Sequence, residues 1–205
     1  MTRVTVIDHG AGNLVSIVEG LKRAGAEVTV ATDPQQLRGA SGIVLPGVGS
    51  SGAAMERLDA RGFSPALIAW EGPLLGICVG FQVLFGSSAE AVTPCLGILP
   101  GTVDRLSGRP LPHMGWNDIS IQRTDPLLGA TAGSELFYFA HTYAPVTIDP
   151  AVVLATAVFD GQTFVAAARR GPVVGVQFHP ERSGIAGRRL LSRFVHTCRD
   201  AARAA

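Results

Sequence analysis

A cysteine with one glycine two residues before it and another two residues after it is the first feature of this sequence that could do chemistry. The segment Gly76-Ile77-Cys78-Val79-Gly80 follows an apolar run typical of a buried strand and opens an apolar pattern typical of a helix. A sharp strand-to-helix turn exposes the side chain at its corner, and glycine leaves room for strained backbone and for a substrate. The first N–H groups of that helix favour a thiolate. We interpret Cys78 as a nucleophile; an inert cysteine packed in the core is the alternative.

A histidine and a glutamate at the end of a later strand supply the other groups that such a nucleophile needs. The run Val173-Val174-Gly175-Val176-Gln177-Phe178 predicts a strand that leads into His179-Pro180-Glu181. A residue before proline is extended, and residues two apart in an extended segment project to one side, so Glu181 should lie beside His179. A carboxylate there fixes the imidazole tautomer and stabilises the imidazolium. The sequence therefore predicts a Cys-His-Glu triad, with a surface histidine as the simpler alternative.

A glycine-rich segment, Gly47-Val48-Gly49-Ser50-Ser51-Gly52, follows the third predicted strand. We favour an oxyanion loop, in which a flexible backbone turns an N–H group toward a tetrahedral intermediate. A plain tight turn is a second interpretation. A dinucleotide site is the third, because the segment matches G-x-G-x-x-G, although that fingerprint normally follows the first strand.

The elements that must position these residues alternate between strand and helix in the first half of the chain. Predicted strands cover residues 4–8, 28–30 and 42–46, and a helical pattern begins at Leu14. This order predicts an α/β fold with a mainly parallel sheet, in which loops at the carboxyl ends of the strands build the site.

Short strands separated by turn signals follow from Cys95 onward and predict an antiparallel or mixed region. They cover residues 97–103, 119–121, 136–140 and 152–157, and Asp160-Gly161 predicts a hairpin turn. An amphipathic helix runs from about Ala186 to the end, with arginines on its outer face.

Composition limits the class of protein. The chain has 205 residues, of which 47% are hydrophobic and 16% are charged, so we expect one compact domain covering 1–205. A net charge of +1 offers no basic face for nucleic acid. Three dispersed cysteines argue against a disulfide framework, and no spacing resembles a zinc site. No apolar run is long enough to span a bilayer, and no signal peptide opens the chain, so we expect a cytoplasmic protein without metal.

The segments 76–82 and 175–181 together resemble the class I (triad) glutamine amidotransferase family. That resemblance implies a flavodoxin-like core, with a mixed, mostly parallel central sheet flanked by helices and an additional antiparallel region. Four further segments are similar to one group in the family, the glutaminase subunits of imidazole glycerol phosphate synthases: residues 10–14, 46–49, 112–117 and 137–143. Two positions depart from the pattern, Phe81 where methionine is usual and His9 where tyrosine is common.

The resemblance implies a role for each site residue and no cofactor. Cys78 would attack the side-chain amide of glutamine and form a γ-glutamyl thioester, with His179 and Glu181 completing the triad. The oxyanion hole would use backbone N–H groups of Val79 and of the Gly47-Val48-Gly49 loop. The residues expected to hold the glutamine are Gln82, Glu90, His141, Thr142 and Tyr143.

The resemblance also implies a partner in histidine biosynthesis. Released ammonia would pass to a separate cyclase subunit with the (β/α)₈ barrel fold, which forms imidazole glycerol phosphate and an aminoimidazole carboxamide ribotide. Asn13, Trp116 and Arg182 would lie at or near that heterodimer interface. We hypothesise that the loop at Val48 is misaligned until the loaded partner binds, because a valine between two glycines can flip.

Three alternatives stay open on the sequence alone. The chain could serve another class I amidotransferase, such as those of anthranilate or pyridoxal phosphate synthesis. It could be a stand-alone cysteine hydrolase, or an interaction subunit that has lost catalysis.

Overall fold

The structure is a computed structural model that describes residues 2–129, 135–147 and 149–204. Its strands in those ranges are β1 (Arg3–Ile7), β2 (Glu27–Ala31), β3 (Gly42–Gly47), β4 (Leu74–Cys78), β5 (Ser87–Ser88), β6 (Thr93–Pro94), β7 (Thr102–Arg105), β8 (His113–Asn117), β9 (Ser120–Ile121), β10 (Phe137–His141), β11 (Tyr143–Thr147), β12 (Val153–Phe159), β13 (Gln162–Arg170) and β14 (Val173–Val176). Its α-helices there are α1 (Leu14–Arg23), α2 (Ser51–Ala60), α3 (Phe63–Ile68), α4 (Val79–Gln82) and α5 (Gly184–Ala204).

The largest sheet of the described residues has eight strands in the order β2-β1-β3-β4-β14-β13-β12-β9. The five strands from β2 to β14 are parallel, and the rest are antiparallel. Every residue of β3, β4 and β14 is buried, as expected for a parallel sheet covered on both faces. The predicted α/β fold with a mixed, mostly parallel central sheet is confirmed. A single domain over 1–205 stays a prediction.

The long C-terminal helix begins two residues earlier than the sequence predicts, at Gly184. Its apolar stripe includes Leu190, Leu191, Phe194 and Val195, all of which are buried. Helix α5 packs against α1 and against the turn at residues 180–182. No helix in the described part of the chain is long and apolar enough to cross a membrane.

The antiparallel region agrees with the prediction from the sequence where the turn-forming residues give a clear signal. Asp160 and Gly161 both have positive φ, 46° and 78°, and join β12 to β13 as Asp-Gly predicts. The strand predicted over 97–103 is wrong before Thr102, because Gly97 and Gly101 take positive φ values that turn the chain.

The helix after Cys78 is much shorter than its apolar pattern suggests. Helix α4 is a single turn that ends at Gln82, and all four of its residues are buried. Phe81 and the three residues after α4 are fully buried as well. A segment enclosed by protein on every side has no outer face, so periodicity does not determine where its helix ends.

Candidate active site

Cys78 occupies a strained corner between β4 and α4. Its backbone angles are φ 54° and ψ −111°, a region that costs a non-glycine residue about 1–3 kcal/mol. The residues two positions before and after Cys78 must be glycines, because there is no space for a side chain. A Cβ atom on Gly80 would lie 1.9 Å from the carbonyl oxygen of Leu45, and a Cβ atom on Gly76 would lie 2.8 Å from the carbonyl oxygen of Gly80. The glycines therefore let β3 and the elbow pack closely, and the Cys78 side chain is 2% exposed.

His179 and Glu181 follow the end of β14, which lies beside Cys78 because β14 runs parallel to β4. His179 Nδ1 lies 2.9 Å from Glu181 Oε1, and both side chains are almost fully buried. His179 is extended as predicted, but Pro180 starts a 3-10 turn over residues 180–182. The predicted reason for the His-Glu contact is therefore wrong: Glu181 reaches His179 around a turn and not along an extended strand. The backbone N–H of His179 also donates to Tyr138 O at 2.8 Å, which fixes it to β10.

The pKa of His179 reflects its partners more than its burial. Burial by itself lowers this pKa, but the Cys78 sulfur and the Glu181 carboxylate raise it to about 10. Because Nδ1 faces Glu181, Nε2 is the nitrogen available to the sulfur. At neutral pH the geometry therefore supports an imidazolium beside Cys78.

The glycine loop begins where β3 lies beside the elbow, since Gly47 is in register with Cys78. Val48 is 39% exposed and Gly49 has φ +86°. The N–H of Val79, at the start of α4, has no acceptor within its own helix. Upstream of the loop, buried His9 places Nε2 2.9 Å from the Pro46 carbonyl oxygen. The loop thus faces the nucleophile, as an oxyanion loop must; this role stays a prediction.

One cavity of about 320 Å³ opens over Cys78. That volume suits a small molecule. The predicted residues that line it are Val48, Gly49, Cys78, Val79, Gln82, Glu90, His141, Thr142, Tyr143, His179 and Arg182. Gly47, Asn13, Trp116 and Glu181 lie outside its lining.

Two of the predicted substrate residues also hold the cavity together. Gln82 is 2% exposed, and its Nε2 donates to Tyr143 O at 2.6 Å and to Gln177 Oε1 at 3.2 Å. Glu90 is half-buried and accepts from the backbone N–H of Ser51 at 2.7 Å. Gln82 is thus engaged by the protein itself, whereas Glu90 retains a second carboxylate oxygen for a ligand.

The part of the cavity wall that β10 forms is backed by a pair of buried histidines, one on β8 and one on β10. His113 Nδ1 lies 3.2 Å from His141 Nε2, and His141 Nδ1 lies 3.0 Å from Tyr143 O. Burial is the main reason that the pKa of His113 is lowered, and burial with the neighbouring His113 lowers that of His141 to about 3. Both rings are therefore neutral, and Nδ1–H of His141 donates to the carbonyl.

The class-I glutamine amidotransferase family profile matches residues 5–198. The chain belongs to the class-I glutamine amidotransferase family. It is 46% identical to the imidazole glycerol phosphate synthase subunit HisH of Synechococcus sp. (strain JA-3-3Ab), over 94% of this chain and 93% of that one. It is 47% identical to the HisH subunit of Cutibacterium acnes, over 95% and 96% of the two chains. The HisH subunit of Xylella fastidiosa (strain Temecula1) is 43% identical, over 95% and 98%.

Solved structures support the same fold for this amidotransferase. A putative GMP synthase subunit from Thermoplasma acidophilum superposes with a TM-score of 0.77 at 19% identity, over 100% of this chain and 97% of its own. A structure titled glutamine amidotransferase gives 0.75 at 22% identity, over 95% and 98% of the two chains. At these identities the likeness concerns the fold alone.

The predicted partner-facing residues of this amidotransferase gather near the triad. Trp116 is 55% exposed and meets the ring of Tyr138 edge-on at 6.0 Å between centroids. The guanidinium of Arg182 lies 4.0 Å above the same ring. We call Trp116, Tyr138 and Arg182 the surface cluster. Asn13 is exposed just before α1, a helix that packs against the turn carrying Arg182. Their contact with a partner stays a prediction.

The two departures from the family pattern have separate explanations. Phe81 is fully buried and lies outside the cavity lining; a Cβ atom on Gly175 would come within 2.1 Å of its ring, so the glycine makes room for it. His9 contacts Pro46, next to the glycine loop, through the bond described above. Phe81 therefore belongs to the core, and His9 belongs to the support of the loop.

Sequence reasoning missed Gln177. This side chain is fully buried, and its Nε2 lies 3.7 Å from the Cys78 sulfur. A signal was present, because Gln177 precedes His179 by two residues in a segment that the sequence predicts to be extended, where such residues project to the same side. In the structure β14 ends at Val176, just before both residues. The described residues contain no cluster of three His, Cys, Asp or Glu side chains that could hold a metal ion.

Proposed function

We propose that this amidotransferase is the glutaminase subunit of an imidazole glycerol phosphate synthase and hydrolyses glutamine at Cys78. The observation that carries the proposal is that Cys78 and His179 line one cavity, with Glu181 bound to His179 just outside its lining. The similarity to HisH subunits over almost the whole chain supports the choice of enzyme. A subunit of a synthase also requires at least one further subunit.

In the first half of the proposed reaction, the Cys78 thiolate attacks the carboxamide carbon of glutamine. The negative charge that forms on the amide oxygen is stabilised by backbone N–H groups of Val79 and of the Gly47-Val48-Gly49 loop. The His179 imidazolium gives its proton to the amide nitrogen, the C–N bond breaks, and ammonia leaves. A γ-glutamyl thioester remains on the sulfur.

In the second half, His179 is neutral and takes a proton from water, which attacks the thioester carbon. The C–S bond breaks, glutamate is released, and the thiolate and imidazolium are restored. Glu181 holds Nδ1 of His179 throughout and stabilises its charged form.

Charge supports the proposed orientation of glutamine. Glu90, with one carboxylate oxygen already bound to Ser51 N–H, suits the α-amino group of the substrate. His141, Thr142 and Tyr143 line the same cavity. The carboxamide then lies between the sulfur and the glycine loop.

A cyclase subunit is the proposed recipient of the ammonia. The exposed tryptophan and the stacked Arg182 of the surface cluster, together with Asn13, support docking on this face. We also place the enzyme in the cytoplasm, since an unpaired nucleophilic cysteine persists where thiols stay reduced.

Replacing Cys78 with alanine tests the function. In the complex with the cyclase, Cys78→Ala should abolish synthesis from glutamine, while synthesis from added ammonium salt continues. Cys95→Ala is the matched control, because burial raises the pKa of that thiol to about 11 and removes it from chemistry at neutral pH. Synthesis from glutamine that survives Cys78→Ala would refute the proposal.

The loop hypothesis has a separate test. If the Gly47-Val48-Gly49 loop aligns only on binding, glutamine turnover by the isolated subunit should rise by about 10²-fold or more when the cyclase and its nucleotide substrate are added, the range that one oxyanion donor supplies. Turnover that is already high and stays unchanged would contradict it.

A further inference from the structure

One hydroxyl and two side-chain amides form a buried chain that ends on the nucleophile. Ser51 Oγ donates to Gln82 Oε1 at 3.2 Å, Gln82 Nε2 donates to Gln177 Oε1 at 3.2 Å, and Gln177 Nε2 reaches Cys78 Sγ at 3.7 Å. Ser51, Gln82 and Gln177 are each at most 2% exposed. This chain of hydrogen bonds runs from α2, the helix that follows the glycine loop, to the segment that joins β14 to His179.

The Tyr143 carbonyl sets the direction of both amides. A backbone carbonyl can only accept, so the end of Gln82 that lies 2.6 Å from Tyr143 O must be its NH₂ group. The second hydrogen of that group then points to Gln177, which must present its oxygen to it. Rotating the Gln177 amide by half a turn would set two donors against each other. The group of Gln177 that faces the sulfur is therefore the N–H donor.

We propose that Gln177 is a further catalytic residue, which donates a hydrogen bond to the sulfur of Cys78 and stabilises it as a thiolate. The inference rests on the proposed role of Cys78. Gln177 gives up no proton: the thiolate electron pair forms the S–C bond, and the ammonia leaves with the proton of His179. When water later breaks the thioester, Gln177 stabilises the departing thiolate in the same way.

The surroundings of the sulfur show why a second donor matters. The carbonyl oxygen of Ala140 lies 3.9 Å from Sγ and accepts from a thiol, but it repels a thiolate, which has no hydrogen to donate. The sulfur belongs to a residue that is 2% exposed, so water does little to solvate the charge. Among the described residues, His179 and Gln177 are the side chains whose polar atoms face it.

The pH dependence of Cys78 alkylation by iodoacetamide tests this role. In Gln177→Leu, the midpoint of the rate profile should rise by about one pH unit, and the rate below that midpoint should fall about tenfold, as expected for a lost hydrogen bond to a charged group. The other cysteines react little near neutrality, because burial raises the pKa of Cys95 to about 11 and of Cys198 to about 12. Cys78→Ala measures that background.

Thr5→Val is the matched control. Thr5 is also fully buried and loses one side-chain hydrogen bond, to Thr29 Oγ1 at 2.9 Å, but it lies away from the cavity lining. It should lower stability and leave the alkylation profile unchanged.

Gln177→Glu is a second test variant. It keeps the shape of the side chain and an acceptor for Gln82 but removes the N–H donor, so it should raise the midpoint of the alkylation profile at least as far as Gln177→Leu does. It also provides the test if Gln177→Leu does not fold.

An unchanged profile in a folded Gln177 variant overturns the inference. Alkylation needs neither glutamine nor a partner, so this outcome is distinct from a failure of the proposed function, which is measured as synthesis from glutamine in the complex.

Discussion

Two histidines line the same cavity and are equally buried, yet their chemistry differs. His179 and His141 are each 6% exposed. The pKa of His179 is raised to about 10, whereas that of His141 is lowered to about 3. At neutral pH, one wall of the cavity therefore carries a charged acid and the other an uncharged ring.

The two histidines are equally buried, so the difference between their pKa values comes from the groups that surround each ring. Burial lowers the pKa of both rings. At His179 the Cys78 sulfur and the Glu181 carboxylate outweigh burial, whereas at His141 the rings of His113 and His179 add to the effect of burial. The wall that contains His179 has the charge that proton transfer would need, and the wall that contains the histidine pair is hydrogen-bonded to Tyr143 O.

Glu181→Gln should have the largest effect on activity, because it removes the carboxylate that distinguishes the surroundings of His179 from those of His141. The pKa of His179 then falls, because burial is opposed by the Cys78 sulfur alone, and less of the imidazolium remains at neutral pH. We expect kcat for glutamine hydrolysis in the cyclase complex to fall between about 10² and 10⁴-fold. Titration of His179 by NMR should show the lowered pKa directly.

Glu19→Gln is the control for that change, since Glu19 pairs with Lys22 at 3.1 Å on the exposed surface of α1. If Glu181→Gln kept nearly full activity, the carboxylate would not be what distinguishes His179 from His141.

His141→Gln should have a smaller effect, seen in acid stability. The unfolded chain binds a proton at this residue below about pH 6.5, but the folded chain does so only near pH 3, so stability is present above pH 6.5 and is lost as the pH falls. The wild-type chain should lose about 2 kcal/mol from this residue between pH 6.5 and pH 5. Urea unfolding at both pH values should show that His141→Gln loses correspondingly less.

His196→Gln is the matched control, because it makes the same substitution at a histidine that is exposed on α5. An acid dependence that is the same in wild type and His141→Gln would mean that His141 is not held neutral by the fold.

His113→Phe should have the smallest effect and tests whether the neutral wall acts only as a support. A benzene ring keeps the stacking on Phe159 and Phe139, at 4.3 and 5.0 Å between centroids, but gives up the hydrogen bond to His141. We expect a loss of about 1 kcal/mol in the free energy of unfolding and little change in kcat. A fall in kcat as large as that of Glu181→Gln would show that this wall takes part in proton transfer.

The sequence predicted the site where local chemistry defines it. Cys78 and His179 stand at strand ends with glycine or proline beside them, and these residues leave few backbone conformations. The order of strands and helices in the first half predicted the parallel sheet that brings them together. Family resemblance supplied the residues that line the cavity on β10 and in the loop after it.

The rest depends on contacts between distant segments. The pairing of His113 with His141 follows from the register of β8 on β10, in which the two residues are opposite each other. Strands β5 and β6 have two residues each and carry no periodicity. Ala91 takes a positive φ of 57° next to Glu90, a conformation for which the sequence gives no glycine. None of these can be inferred from spacing along the chain.

The surface cluster contains a tryptophan, Trp116, whose fluorescence can report on this face of the molecule. Indole emission changes when the ring is transferred out of water, and Trp116 is 55% exposed against the edge of Tyr138. The second tryptophan, Trp70, is half-buried and donates its indole N–H to Pro73 O at 3.2 Å, which makes it a steady reference. Tyr138 is also the residue that accepts the backbone N–H of His179. The fluorescent ring of Trp116 therefore contacts a residue, Tyr138, that is itself hydrogen-bonded to His179.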